Sequence, residues 1–286
     1  MPLPVSKNQI ARLGERLASG RATDQDWDLY AEVLDCYDQN TTAVRSGIDA
    51  VDWSSVLGRP VDLAVTARTK TLGTLIDKLI RTPAVKLPAI RDISGVRIVG
   101  DLFLSEQDRI VEHLVQLFDC PNAKPVDRRV DPISGYRALH VVIVADGLPV
   151  EVQVRTELQA LWADLYERLA DTWGRQIRYG EAPSPGPDGD ITLRAAVIAE
   201  LHALSLESFA DLELVRQRAA TAISDVARDE RELHNSDLDD EALQGFRALL
   251  RRHRDDLVRI QSSARVLHGN AKARLAALAE IANRVP

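Results

Sequence analysis

Ala138-Leu139-His140-Val141-Val142-Ile143-Val144-Ala145-Asp146-Gly147-Leu148-Pro149-Val150-Glu151-Val152-Gln153-Val154-Arg155 is the stretch that decides the fold. Two apolar runs of strand length flank Asp146-Gly147, a dipeptide suited to a type I′ turn because both central residues need positive φ. A two-residue loop fixes the register. If Ala145 faces Leu148, then Val142 faces Glu151, His140 faces Gln153 and Ala138 faces Arg155. Side chains alternate along a strand, so Tyr136, Ala138, His140, Glu151, Gln153 and Arg155 project from one face. Leu139, Val141, Ile143, Val150, Val152 and Val154 fall on the other, which is core. The bland reading of the polar face is the solvated side of an antiparallel sheet. Solvated faces are usually Lys, Thr and Ser. Here a ring, an imidazole, a carboxylate, an amide and a guanidinium converge, a set suited to base stacking, hydroxyl deprotonation and phosphate contact.

Outward from the hairpin, hydrophobic periodicity divides the chain. Residues 1–60 read as helices that pack on the core, with a start at Thr23-Asp24 before Trp27, Tyr30, Val33 and Leu34 at helical spacing. Residues 61–180 form the core: strand-like at Val61 to Ala67, helical from Thr71 to Arg81 until Pro83, and strand-like again at Gly95 to Val99. An amphipathic helix from Ser105 to Phe118 follows, then strands near Pro125 to Val130, Tyr136 to Ala145 and Pro149 to Arg155. After Arg155, Leu158, Leu161, Trp162, Leu165 and Leu169 mark another helix, in which Trp162 and Trp173 read as core. Residues 181–190 are a Pro- and Gly-rich linker, and residues 191–286 read as about three helices. Strands and helices interleave, which predicts an α/β (α+β) fold.

Bulk properties exclude several classes. A net charge of −7 argues against non-specific coating of nucleic acid, which needs a broad basic surface. No run of 18 apolar residues exists and the first residues lack a signal-peptide layout, so a soluble, cytoplasmic protein without a membrane partner is expected. Cys36 and Cys120 match no metal or redox spacing. Of 36 basic residues only six are Lys, at 7, 70, 78, 86, 124 and 272, leaving 30 Arg. Against that background Lys70 and Lys78 are informative, because a compact ammonium is a different phosphate ligand from a planar guanidinium.

Gly135-Tyr136-Arg137-Ala138-Leu139-His140 and Glu151-Val152-Gln153-Val154-Arg155-Thr156 resemble the two signature segments of the RelA/SpoT alarmone synthetase domain. Upstream, Arg68 to Lys78 resembles the family's ATP-phosphate segment, and Asp92-Ile93-Ser94-Gly95-Val96-Arg97-Ile98 its Mg-binding segment. Four segments occur in the family's order over some 90 residues. The resemblance implies a mixed, largely antiparallel five-stranded sheet flanked by helices. It also implies pyrophosphoryl transfer from ATP to the 3′ hydroxyl of GDP or GTP, releasing AMP. By resemblance, Arg68, Lys70, Thr74, Lys78 and Arg97 hold ATP, and Asp92 and Glu151 hold Mg²⁺ and are catalytic. Tyr136 stacks on the acceptor base, with His140, Gln153 and Arg155 on the acceptor side. Thr74 departs from the family's usual Ser but keeps the hydroxyl.

These roles are physically coherent. Pyrophosphoryl transfer demands positioning and electrostatic stabilisation, which cations and Mg²⁺ supply. Mg²⁺ prefers a few hard oxygens with waters retained, so two carboxylates suffice. Larger family members carry an upstream hydrolase with a His-Asp pair. No His precedes His113, so a synthetase alone is expected.

Stand-alone small synthetases divide into makers of guanosine alarmones and toxic members. The toxic ones pyrophosphorylate the tRNA 3′ end or make adenosine analogues, and an antitoxin neutralises them. Arg128, Arg129, Arg175 and Arg178 are candidate contacts to a tRNA acceptor stem; an arginine-rich chain scattering Arg over its surface is the alternative. A catalytically inactive nucleotide- or RNA-binding regulator is the rival from another class, and Asp92, Glu151 and Lys70 weigh against it. The C-terminal helices read as a fused inhibitory or antitoxin-like segment, a completion of the fold or an oligomer interface.

Overall fold

A computed structural model of the chain describes residues 3–69, 72–90, 92–186, 191–234 and 240–285. They fall into two compact units. One comprises residues 1–101, 107–127 and 138–155, the other residues 102–106, 128–137 and 156–286.

The first unit opens with helices α1 (Lys7–Ala18), α2 (Asp24–Asp49) and α3 (Trp53–Leu57). Ser6 and Thr23 each form a capping box, with Gln9 and Asp26 respectively, which satisfies amides that a helix start leaves without a partner. Asp26 also accepts two bonds from Arg16, at 3.0 and 2.5 Å, tying α2 to α1. Strand β1 (Leu63–Thr69), helix α4 (Leu72–Arg81) and strand β2 (Ser94–Gly100) follow, then α5 (Leu104–Leu117) and three further strands. These are β3 (Val126–Asp127), β4 (Leu139–Ala145) and β5 (Leu148–Thr156). The five strands form one mixed sheet in the order β1-β2-β5-β4-β3. The pairs β1–β2, β3–β4 and β4–β5 are antiparallel.

The hairpin has the register that its turn dictates. Ala145 faces Leu148, Val142 faces Glu151 and His140 faces Gln153. Asp146 at φ 48° and Gly147 at φ 77° are both left-handed, as a type I′ turn requires. Val141, Ile143, Val150, Val152 and Val154 are buried, and Val96 and Ile98 extend this layer onto β2. Each such side chain contributes roughly 1.5–3 kcal/mol on leaving water. Gln107 of α5 donates to the Val154 carbonyl at 2.9 Å. Nearer the turn, Leu148 joins a core built from α1, α2 and α4, including Leu13, Tyr37 and Leu75.

Two strands are shorter than their sequence predicts. The Pro125–Val130 candidate pairs only at Val126 and Asp127. The strand expected from Tyr136 begins at Leu139, because a second tight turn precedes it: Ser134 has φ 48°, Gly135 φ 80°, and the Tyr136 amide donates to the Ile133 carbonyl at 2.9 Å. Tyr136 and Ala138 therefore lie outside the ladder.

The second unit contains α6 (Glu157–Trp173), α7 (Thr192–Ala203), α8 (Ala210–His234) and α9 (Asp240–Arg284), with a π-helical stretch, Leu204–Phe209, between α7 and α8. Trp162, Trp173, Leu201, Leu204 and Phe209 fill its core, joined by Leu275 of α9. Among the described residues no helix is long and apolar enough to cross a membrane.

Two of the left-handed glycines, Gly147 and Gly135, make a contrast that stability measurements can check. A Cβ on Gly147 meets nothing within 4 Å, so Gly147→Ala incurs only the left-handed penalty, about 1 kcal/mol. On Gly135 a Cβ would lie 2.7 Å from Trp162, so Gly135→Ala adds a clash and destabilises more. Urea unfolding of both variants is expected to give that ranking.

Candidate active site

The face opposite the valine layer gathers polar groups from four strands. Register sets Arg68 of β1 opposite Gly95 of β2 and Thr66 opposite Arg97, so Arg68 and Arg97 share one side. Gly95 lies against β5 so closely that a Cβ there would stand 3.2 Å from the Glu151 carbonyl oxygen. Along β2, Gly95, Arg97 and Val99 are half-buried while Ser94, Val96 and Ile98 are buried. On β5 the same alternation leaves Glu151 and Gln153 on the open side, with His140 beside them on β4.

Glu151 is held on both carboxylate oxygens. His140 Nδ1 lies 3.1 Å from Glu151 Oε1, and Gln153 Nε2 donates to Oε2 at 2.9 Å. The Gln153 amide is oriented in turn by Arg155, which donates to Gln153 Oε1 at 2.7 Å. Burial pushes the Glu151 carboxyl up, but the His140 hydrogen bond and charge, with the Gln153 amide, outweigh it. The net pKa lies below the ordinary carboxylate range, so Glu151 is an anion at neutral pH. Asp92 is near enough for its charge to act on Glu151 in the opposing direction.

Asp92, two residues before β2, accepts from Lys78 of α4 at 2.6 Å in a pair about one-third exposed. Two carboxylates that sense one another suit a divalent cation with hard-oxygen preference, and their donor chemistry fits Mg²⁺. Lys78 is a counter-charge that an entering phosphate can share. Thr74 falls within α4, and Lys70 lies outside the described residues.

The remaining candidates have other surroundings. Arg155 is 1% exposed and serves Gln153, not solvent. Tyr136 belongs to the second unit, half-buried against its core. There Arg128 binds Asp131 at 3.1 Å, Arg129 donates to the Leu104 carbonyl at 2.8 Å, and Arg175 and Arg178 both reach Asp171, at 3.5 and 3.3 Å.

Sequence reasoning missed a buried cluster in the second unit. Glu213 of α8 stands 2.8 Å from Arg137, and accepts from Thr156 Oγ1 at 2.5 Å and from Gln159 Nε2 at 3.1 Å. Arg137 and Thr156 belong to the two signature segments. The spacing Thr156-x-x-Gln159 is a capping-box signal that was available in the sequence. Nothing local marks Glu213, 57 residues further on.

Residues 67–170 match the family model described as the region found in RelA / SpoT proteins. The uncharacterized proteins Rv1366 of Mycobacterium tuberculosis and Mb1401 of Mycobacterium bovis are each 38% identical over 211 residues, 74% of this chain and 74% of their own length. The chain belongs to the RelA/SpoT family. Among solved structures, small alarmone synthetase 1 from Bacillus subtilis is similar at a TM-score of 0.47 and 20% identity, covering 72% of this chain and 100% of that one. The same Bacillus protein bound to its product pppGpp gives 0.45 and 22%, covering 66% and 92%. The matched region runs from the end of β1 into α6 and contains β2 to β5 whole.

One substitution separates local stability from chemistry. The Lys78–Asp92 pair is partly exposed, so Lys78→Met is expected to change the unfolding free energy by under about 1 kcal/mol in urea titrations. A larger loss would mean that the pair is structural.

Proposed function

We propose that this RelA/SpoT-family protein is an ATP-dependent pyrophosphokinase that transfers the β,γ-pyrophosphate of Mg-ATP to a 3′ ribose hydroxyl of GDP or GTP, releasing AMP. The observation that carries the reading is Glu151: a carboxylate held by His140 and Gln153 on the half-buried face of the sheet. Mg²⁺, held by Asp92 and Glu151, would supply charge neutralisation on the transferring phosphates.

The protein's own groups have separable tasks. Arg68, Lys70, Thr74, Lys78 and Arg97 bind and orient the triphosphate, so that the β-phosphorus is presented to the acceptor. Charge that builds on the phosphate oxygens is met by Arg and Lys groups already in place, without solvent reorganisation. Glu151 accepts the proton of the attacking hydroxyl. A carboxylate is a weak base, but a loose transition state needs that proton removed only late. Gln153 and His140 keep the Glu151 carboxylate aimed, and Arg155 keeps Gln153 in one amide orientation. Tyr136 stacks on the acceptor base.

A free nucleotide is preferred over a tRNA end as acceptor on one observation. Arg128, Arg175 and Arg178 are each engaged by a neighbouring aspartate and Arg129 by a carbonyl, which reduces the positive charge available to a phosphate backbone. A toxic synthetase with a cognate antitoxin remains the reading that a tRNA product would select.

Incubation with Mg-ATP and GDP, GTP, ATP or deacylated tRNA, followed by AMP release and product mass, tests the proposal. AMP is expected only when GDP or GTP is present. Glu151→Gln is expected to lower transfer roughly a hundredfold or more, with the ATP dissociation constant within about threefold of the parent. Full activity in that variant would contradict the assignment of Glu151, and no transfer to any acceptor would leave the inactive-regulator reading standing.

A further inference from the structure

The loop that carries Tyr136 is held by residues well outside the family-matched region 67–170. Ile133 to Tyr136 form the second tight turn, and its Gly135 carbonyl accepts from Ser205 Oγ at 2.6 Å. Ser205 is 3% exposed and sits in the π-helical stretch between α7 and α8. Wide turns of this kind inside helices recur at functional sites, since the extra residue per turn re-aims side chains at a cost in regularity.

The same loop is gripped on two more sides. Gly135 lies against the Trp162 ring and the His202 imidazole, leaving no room for a side chain. Trp162 is fixed by its own bond to the Leu201 carbonyl, 2.7 Å, and stacks on Tyr166. Tyr166 reaches His202 Nε2 at 2.9 Å and the Ile177 carbonyl at 2.7 Å. On the far side of Tyr136, Arg137 is anchored by Glu213, whose carboxylate also receives Thr156 and Gln159. Tyr136 is thus bracketed by two residues, Gly135 and Arg137, each tied to the helical segment that runs from α7 into α8. A surface turn needs neither tie to stay folded. A ring that must present one face to a base needs both of its backbone neighbours immobile.

We propose that Ser205 and Glu213 are positioning residues for acceptor recognition: Ser205 holds the Gly135 backbone and Glu213 the Arg137 side chain, on either side of Tyr136, so that its ring is preorganised for the acceptor base. The C-terminal helices are by this account part of the acceptor site's support, and not an inhibitory tail. The inference rests on the acceptor role proposed for Tyr136.

The test compares Ser205→Ala and Glu213→Gln with the parent and with Tyr136→Ala in the full-length protein. Ser205→Ala removes one hydroxyl, and Glu213→Gln keeps an acceptor for Thr156 and Gln159 while removing the charge opposite Arg137. KM for GDP or GTP is expected to rise by what one ordinary hydrogen bond supports, roughly two- to tenfold, with KM for ATP unchanged. In the Tyr136→Ala background, Ser205→Ala is expected to raise KM no further, because it acts through that ring. Amide exchange across residues 133–139 is expected to quicken in both single variants. KM values for ATP and acceptor rising together, multiplicative effects in the double variant, or unchanged exchange would each overturn the inference. Absence of transfer by the unmodified protein would overturn the functional reading instead, and with it the acceptor role, while the exchange rates would still decide whether Ser205 and Glu213 hold the loop.

Discussion

The two-residue turn at Asp146-Gly147 is the constraint on which the candidate site depends. Its left-handed residues match the twist of the flanking strands and permit one register. That register puts Val141, Ile143, Val150, Val152 and Val154 into the core and leaves His140, Glu151 and Gln153 together on the other side. A slip of β5 by one residue would flip that strand, burying Glu151 and exposing Val150, Val152 and Val154. The energetic cost of such a slip is what makes the carboxylate's position reliable. The sheet order then adds β2 beside β5, bringing Arg97 and Asp92 to the neighbourhood of Glu151.

Features governed by short-range rules were legible in the sequence. The hairpin register, the Thr23 cap of α2 and the alternation of the valine layer follow from spacing and turn chemistry alone. The four signature segments also stood out, because each combines unusual residue types with a fixed order. The strand expected from Tyr136 starts three residues later, at Leu139, because the Ser134-Gly135 turn includes Tyr136 through its bond to the Ile133 carbonyl. Ser205 and Glu213 were not legible. Their partners lie 70 and 57 residues away, and neither sits in a pattern that distinguishes it from an ordinary helical residue.

Electrostatics separates the two faces of function. On the sheet, an anionic Glu151, an Asp92–Lys78 pair and the arginines of β1 and β2 alternate in sign within a small area, which suits a metal-bound triphosphate better than either ion alone. In the second unit Arg128 pairs with Asp131, Arg175 and Arg178 share Asp171, and Arg129 donates to the Leu104 carbonyl.

In the proposed reaction the β and γ phosphates move together, since the β-phosphorus, and not the γ, is presented to the hydroxyl. ATP labelled at the β position distinguishes the two directly. With GDP or GTP as acceptor, the account predicts that the label leaves the adenosine nucleotide and appears in the guanosine product, with unlabelled AMP released. Retention of the label in ADP, with a single phosphate gained by the acceptor, would contradict it.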